Sequence, residues 1–128
     1  MKVFLGGTCN GSNWRNRLIP MLNINYFDPV VDDWTEEAQN QELIERKTCD
    51  IVLYTITPRI TGVYAIAEAV DDSNKWPFTT MLIILRDDGD SRSDEGQWKS
   101  LKMVARLVSK NGGQVFDNLK QAAIALTE

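Results

Sequence analysis

The sequence contains no histidine. That absence removes His-based catalytic triads, His metal sites and His acid–base pairs together, so any proton transfer falls to carboxylates, Tyr, Cys, Lys or water. Cysteine is scarce: Cys9 and Cys49 stand far apart with no CxxC, so neither a zinc cluster nor a redox motif is readable, and no metal site is expected. Both cysteines lie in apolar surroundings and read as small buried thiols of a cytosolic protein. Long hydrophobic runs are missing too. The longest, Met81–Leu85 and Ile51–Tyr54, fall far short of a membrane span, and Met1–Leu5 runs straight into a glycine pair, so neither a membrane partner nor a secretory leader is expected. Positive charge is in deficit. With 14 Lys+Arg against 18 Asp+Glu the net charge is −4, which gives no long-range attraction to nucleic acid or anionic lipid.

What is present is a chain of 128 residues, 43% of them hydrophobic and 25% charged. That composition is enough for one ordinary core spanning residues 1–128 and too apolar for disorder. Short β-rich runs alternate with helical stretches. Val3–Leu5 reads as a buried strand ending at Gly6-Gly7, and Ser12 to about Leu22 as a helix capped by Ser12 and disturbed by Pro20. Asn25–Phe27 is a second strand. Thr35 to Thr48 is a helix capped by Thr35 with Leu43 and Ile44 toward the core. Asp50–Thr57 is a continuous run typical of a central parallel strand, followed by a helix from Thr61 to about Asp72 with Thr61 as cap. Thr79–Leu85 is another buried strand, and Arg86–Gly96 is a polar, mobile loop. A helix begins at the Asp94/Gln97 capping pair and ends at Asn111-Gly112-Gly113. Gln114–Phe116 is the last strand, and Asp117 caps a final helix. This alternation predicts a doubly wound, flavodoxin- or Rossmann-like α/β domain: a five-stranded parallel sheet of order 2-1-3-4-5 with helices on both faces. Ligands in such folds bind beyond the carboxyl ends of the strands, at the switch between strands 1 and 3.

Three segments fall at that place. Gly6-Gly7-Thr8-Cys9-Asn10-Gly11-Ser12 follows strand 1 and opens a helix; it suits a backbone that approaches an anionic ligand, and suits equally a tight strand–helix turn. It is neither GxGxxG nor Walker A and lacks the P-loop lysine, which argues against ATP hydrolysis. Asp28 to Trp34 gathers Asp32, Asp33 and an indole, able to accept sugar hydroxyls and stack on a base, or merely a solvated acidic turn. In the third segment Glu68 sits among Ala65, Ile66, Ala67, Ala69 and Val70, where an ionised carboxylate is costly unless it is used or paired. Helical spacing puts Tyr64 and Glu68 on one face, so Tyr64 is placed to hold that carboxylate; the plain alternative is a Glu on the wet side of an amphipathic helix. Glu42, beside Asn40 and Gln41, matters only if its turn faces the same place.

Taken together these stretches resemble the nucleoside 2-deoxyribosyltransferase-like proteins, most closely their small divergent branch often seen in bacterial and phage genomes. The matching runs are VFLGGTCNGSNWR at 3–15, FDPVVDDWTEEAQ at 27–39 and CDIVLYTITPRITGVYAIAEAVDDS at 49–73. The resemblance implies cleavage or transfer at an N-glycosidic bond of a nucleoside or deoxynucleotide, with Glu68 as the nucleophilic carboxylate, a homo-oligomer and no cofactor. With no His, protonation of the leaving base falls to a carboxylic acid or water, with Glu42, Asp33 and Asp32 the candidates in that order. Gly6, Gly7, Thr8, Asn10, Ser12 and Gly62 fall around the sugar or a 5′-phosphate, and Trp34 near the base. Two positions depart from the better-known transferases: Gly62 stands where they have an Asp six residues before the nucleophile, and Phe4 where they have a first-strand Tyr. Relatives of this fold also include nucleotide-sensing domains without chemistry.

Overall fold

Val3, Phe4 and Leu5 are all sealed from solvent, which three successive strand residues achieve only when both faces of the sheet are covered. In the computed structural model, which describes residues 1–9 and 11–127, these residues belong to β1 (Lys2–Gly7). The chain continues through α1 (Trp14–Leu18), β2 (Asn25–Phe27), α2 (Glu36–Thr48), β3 (Ile51–Ile56) and α3 (Tyr64–Lys75). Then follow β4 (Thr80–Ile84), a two-stranded hairpin of β5 (Asp87–Asp88) and β6 (Ser91–Arg92), α4 (Glu95–Asn111), β7 (Gln114–Phe116) and α5 (Leu119–Thr127). The main sheet runs β2-β1-β3-β4-β7 with every pairing parallel. This is the expected doubly wound order, with the hairpin inserted before the last strand.

Side-chain alternation divides the core in two. Val3, Leu5, Leu53, Met81 and Ile83 point to the face covered by Trp14 and Leu18 of α1 and by Leu119, Ala122 and Leu126 of α5. Phe4, Val52, Tyr54, Ile56, Leu82 and Ile84 point to the other face, under Ala69 of α3 and Leu101, Ala105 and Val108 of α4. Burying each large apolar side chain contributes about 1.5–3 kcal/mol, so β3 and β4, buried on both faces, anchor the domain.

Several local expectations change. The first helix is only one turn long: α1 stops at Leu18 and Pro20 sits in a 3₁₀ turn, Ile19–Met21, because proline has no N–H for an α-helical bond. Asn13 rather than Ser12 stands at its cap position, without a side-chain cap; the Ser12 hydroxyl donates to Asp88 at 2.5 Å and accepts a long bond from the Trp14 N–H at 3.4 Å. Helix α3 starts at Tyr64 rather than Thr61, with Val63 at the cap position and no side-chain cap. Asn118, not Asp117, caps α5 by accepting from the Gln121 N–H. The 86–96 stretch is a hairpin whose Asp88 is buried, held by Ser12 and flanked by Arg17 and Arg59 at 3.7 and 3.8 Å. Cys9 is exposed and Cys49 half-buried. Thr35 and Asp94 cap their helices as expected, and Gly112 ends α4 in the left-handed conformation.

The largest change concerns α2. Leu43 and Ile44 are exposed, and no residue of this helix is buried. Its inward stripe is Ala38, Glu42, Glu45, Arg46 and Cys49, spaced at helical intervals but mostly polar. Polar bonds therefore hold it: Glu45 to Lys2 at 2.8 Å, and Arg46 to Asp72 at 2.8 Å. Apolar content alone pointed to the wrong face, because the helix is fixed by ion pairs rather than by a hydrophobic seam. Among the described residues no helix is long and apolar enough to cross a membrane.

Candidate functional site

The carboxyl ends of β1, β2 and β3 open on a cavity of about 410 Å³. Its floor is the end of β1. Gly6 and Gly7 belong to the strand itself, and the close approach of β3 requires both to be glycine. A Cβ on Gly6 would meet the Tyr54 ring at 2.7 Å. Gly7 has φ +116°, and a Cβ there would lie 2.1 Å from the Thr55 carbonyl oxygen. The glycine pair thus lets β1 and β3 pass closely and leaves bare backbone facing the cavity. Thr8 continues the lock: its N–H donates to the Thr55 carbonyl at 2.9 Å, and its Oγ1 accepts from the Thr57 N–H at 3.0 Å.

Beneath the loop lies Arg15, 6% exposed. Its Nε and Nη2 donate to the Leu5 carbonyl at 3.0 and 2.9 Å and its Nη1 to the Thr8 carbonyl at 2.7 Å. Trp14 Nε1 donates to the same Thr8 oxygen, and the Arg15 guanidinium lies over the Trp14 ring. Burial depresses the Arg15 pKa, with Cys9 and Asp28 opposing. The residue braces the loop, a role that no local sequence pattern signalled.

One wall comes from the segment after β2. Pro29, Val30, Val31 and Trp34 line it, with Trp34 52% exposed, so its indole has a free face. Asp32 and Asp33 are exposed and do not line the cavity, while Asp28 turns back to accept from the Val30 N–H and pair with Arg15 at 3.4 Å. Ser12 is likewise outside the lining, occupied by Asp88. Asn10 lies outside the described residues. The opposite wall is Ile60, Thr61 and Gly62 leading into Tyr64, Ala65 and Glu68 of α3. Gly62 faces open space, with nothing within 4 Å of an added Cβ. Tyr64 stands at the mouth, 71% exposed.

Two carboxylates meet here. Glu42 of α2 and Glu68 of α3 line the same cavity, so the turn carrying Glu42 does face the site. The Glu68 side chain is only 11% exposed. Burial pushes its pKa up to about 7, against the pull of Arg46 and with the help of Glu42 and Asp72. Burial also raises Glu42, opposed by Arg46 and Arg15. The charged partner of Glu68 is Arg46 Nη1 at 3.3 Å, rather than the Tyr64 hydroxyl. Sequence spacing held one sign of Arg46: it lies four residues after Glu42, the interval for helical charge pairs. A protonatable carboxyl beside an apolar wall, a second carboxyl across the cavity and a stacking indole form a set suited to acid–base or nucleophilic work on a small polar ring compound.

Fold and site together define a doubly wound α/β domain with a carboxylate-bearing cavity at its switch point. Residues 1–75 match the model of the nucleoside 2-deoxyribosyltransferase-like family, and the chain belongs to that family. The match runs from β1 through α3 and so contains every residue lining the cavity. Comparison with curated proteins gave no match.

Proposed function

We propose that the protein cleaves, or transfers the sugar of, an N-glycosidic bond in a nucleoside or deoxynucleotide, with Glu68 as the reacting carboxylate. The observation that carries this reading is the burial of Glu68 on the wall of the switch-point cavity with Glu42 facing the same space. Cleavage at C1′ builds oxocarbenium character on the sugar. An ionised carboxylate on one face traps that centre as a glycosyl ester or stabilises its charge. The departing base needs a proton, and Glu42, whose carboxyl burial holds above its ordinary range, is the group to supply it. Bare backbone at Gly6 and Gly7 accommodates the sugar, and Trp34 stacks near the base. Asp32 and Asp33, exposed and outside the lining, are not assigned a part.

One observation favours a second reading, a binding or sensing module without chemistry. Gly62 leaves open space where transferases of this pattern carry an Asp. The experiment that separates the two is free-base release from the deoxynucleosides, their monophosphates and NAD. Release that disappears in Glu68→Gln supports the enzyme. Tight binding without release from any of them replaces it with the sensor.

A further inference from the structure

The Glu68 carboxylate has a single cationic partner among the described residues, and that partner is not free to move. Arg46 Nε donates to the Tyr54 hydroxyl at 3.0 Å and to Asp72 Oδ2 at 3.1 Å, and its Nη2 donates to Asp72 Oδ1 at 2.8 Å. The Tyr54 hydroxyl in turn donates to Asp72 Oδ2 at 2.6 Å. Tyr54 is wholly buried and Asp72 is 5% exposed. The Nε/Nη2 edge of the guanidinium is therefore engaged, and the remaining Nη1 lies 3.3 Å from Glu68 Oε2. That separation is long for a hydrogen bond and short for an ion pair, so the charge acts while the carboxylate oxygens stay available to the cavity. The exposed Asp71 is a weaker neighbour of Arg46 at 3.7 Å.

The clamp reaches back to the cavity floor. Tyr54 occupies its place only because Gly6 has no side chain. A single chain of contacts thus joins β1, β3, α3 and α2 and ends on Glu68. Arg46 and Glu42 face Glu68 from α2, Asp72 from its own helix and Tyr54 from β3, while Cys9, Arg15 and Tyr64 line the same cavity.

We propose that Arg46 is the positioning residue for Glu68, with Asp72 and Tyr54 as the clamp that fixes its guanidinium. This rests on Glu68 being the reacting carboxylate. A guanidinium suits the task because its planar fork is satisfied by Asp72 and Tyr54 while one nitrogen remains for Glu68. The arrangement keeps part of the Glu68 population ionised at neutral pH, where burial alone would protonate more of it.

The test is a carbon-13 carboxyl NMR titration of the glutamates in wild type, Arg46→Met and Arg46→Lys, with Glu68→Gln to assign the resonance. Removing the charge in Arg46→Met is expected to move the Glu68 midpoint upward by about 1 pH unit or more, and Arg46→Lys to recover much of that shift. A midpoint unchanged in a folded Arg46→Met protein overturns the proposal, since a residue that only ties α2 to the body leaves Glu68 alone. If Arg46→Met does not fold because Asp72 is stranded, the double variant Arg46→Met/Asp72→Asn removes both charges. Arg46 acts on Glu68 more strongly than Asp72 does, so the midpoint still rises. In base-release assays the acid limb of the rate–pH profile moves up by the same amount with KM unchanged. Wild-type protein that releases no base overturns the catalytic reading instead, and the NMR midpoints then decide the clamp by themselves.

Discussion

Replacing Glu68 by Gln separates the demands of the site from those of the fold. The carboxyl titrates near 7 in the folded protein against an ordinary 4.5, so folding favours its protonated form. The sign follows directly: the stability associated with the neutral carboxyl is complete below about pH 4.5 and is lost as pH rises through 7. Gln is neutral at every pH and escapes that loss. With 1.36 kcal/mol per pKa unit, wild type is weaker than Glu68→Gln by about 1.4 kcal/mol at pH 5.5 and about 3 kcal/mol at pH 8. Urea denaturation at the two pH values measures the difference, and the Arg46 ion pair is already contained in the shifted midpoint. Turnover should move the other way, falling by at least about a thousandfold, or roughly 4 kcal/mol of barrier, while ligand binding persists. A Glu68→Gln protein no more stable than wild type at pH 8 would refute the claim that this carboxylate is held against its solvation preference. A residue on an ordinary wet helix face would change stability by no more than about 0.5 kcal/mol.

Three further outcomes are expected. Gly7→Ala places a Cβ against the Thr55 carbonyl at a positive φ and should destabilise the protein by at least about 2 kcal/mol, read as a lower urea midpoint; full stability with altered ligand binding would mean that the loop serves the ligand and not the strand pair. Gly62→Asp meets nothing within 4 Å and restores a carboxylate to the cavity rim, so it should raise base release or transfer by about tenfold or more at unchanged stability, and an unaltered rate counts against a reacting sugar at that position. Asp88→Asn weakens the hold of the hairpin on Ser12, Arg17 and Arg59 and should cost about 1–3 kcal/mol, with faster amide exchange at 87–92; protection equal to wild type would show that the hairpin stands without it.

The sheet was legible because parallel strands buried on both faces need nearly continuous apolar runs, and Ile51–Ile56 and Thr80–Ile84 have them. That Glu68 is set into a cavity wall was legible because a charge placed among small apolar residues is costly unless it is paired or used. The helix faces were less so. Leu43 and Ile44 looked like core residues, yet α2 turns Glu42 and Arg46 inward because its partners are Tyr54 on the next strand and Glu68 and Asp72 on the helix beyond it. The glycine loop suited a ligand or a tight turn, and Gly6 and Gly7 both line the cavity and let β1 pass close to Tyr54 and Thr55 of the neighbouring strand. Ser12 looked like the cap, yet the cap position falls one residue later, at Asn13, and Ser12 also ties the helix entry to Asp88 of the distant hairpin. Short apolar runs alternating with helical stretches are a local pattern, and that pattern by itself determined the strands, the winding order and the end of the sheet where the candidate cavity lies. Which carboxylates share one cavity, and which arginine governs them, depends on contacts between residues far apart in the chain, and only the packing of α2 and α3 over β3 decided that.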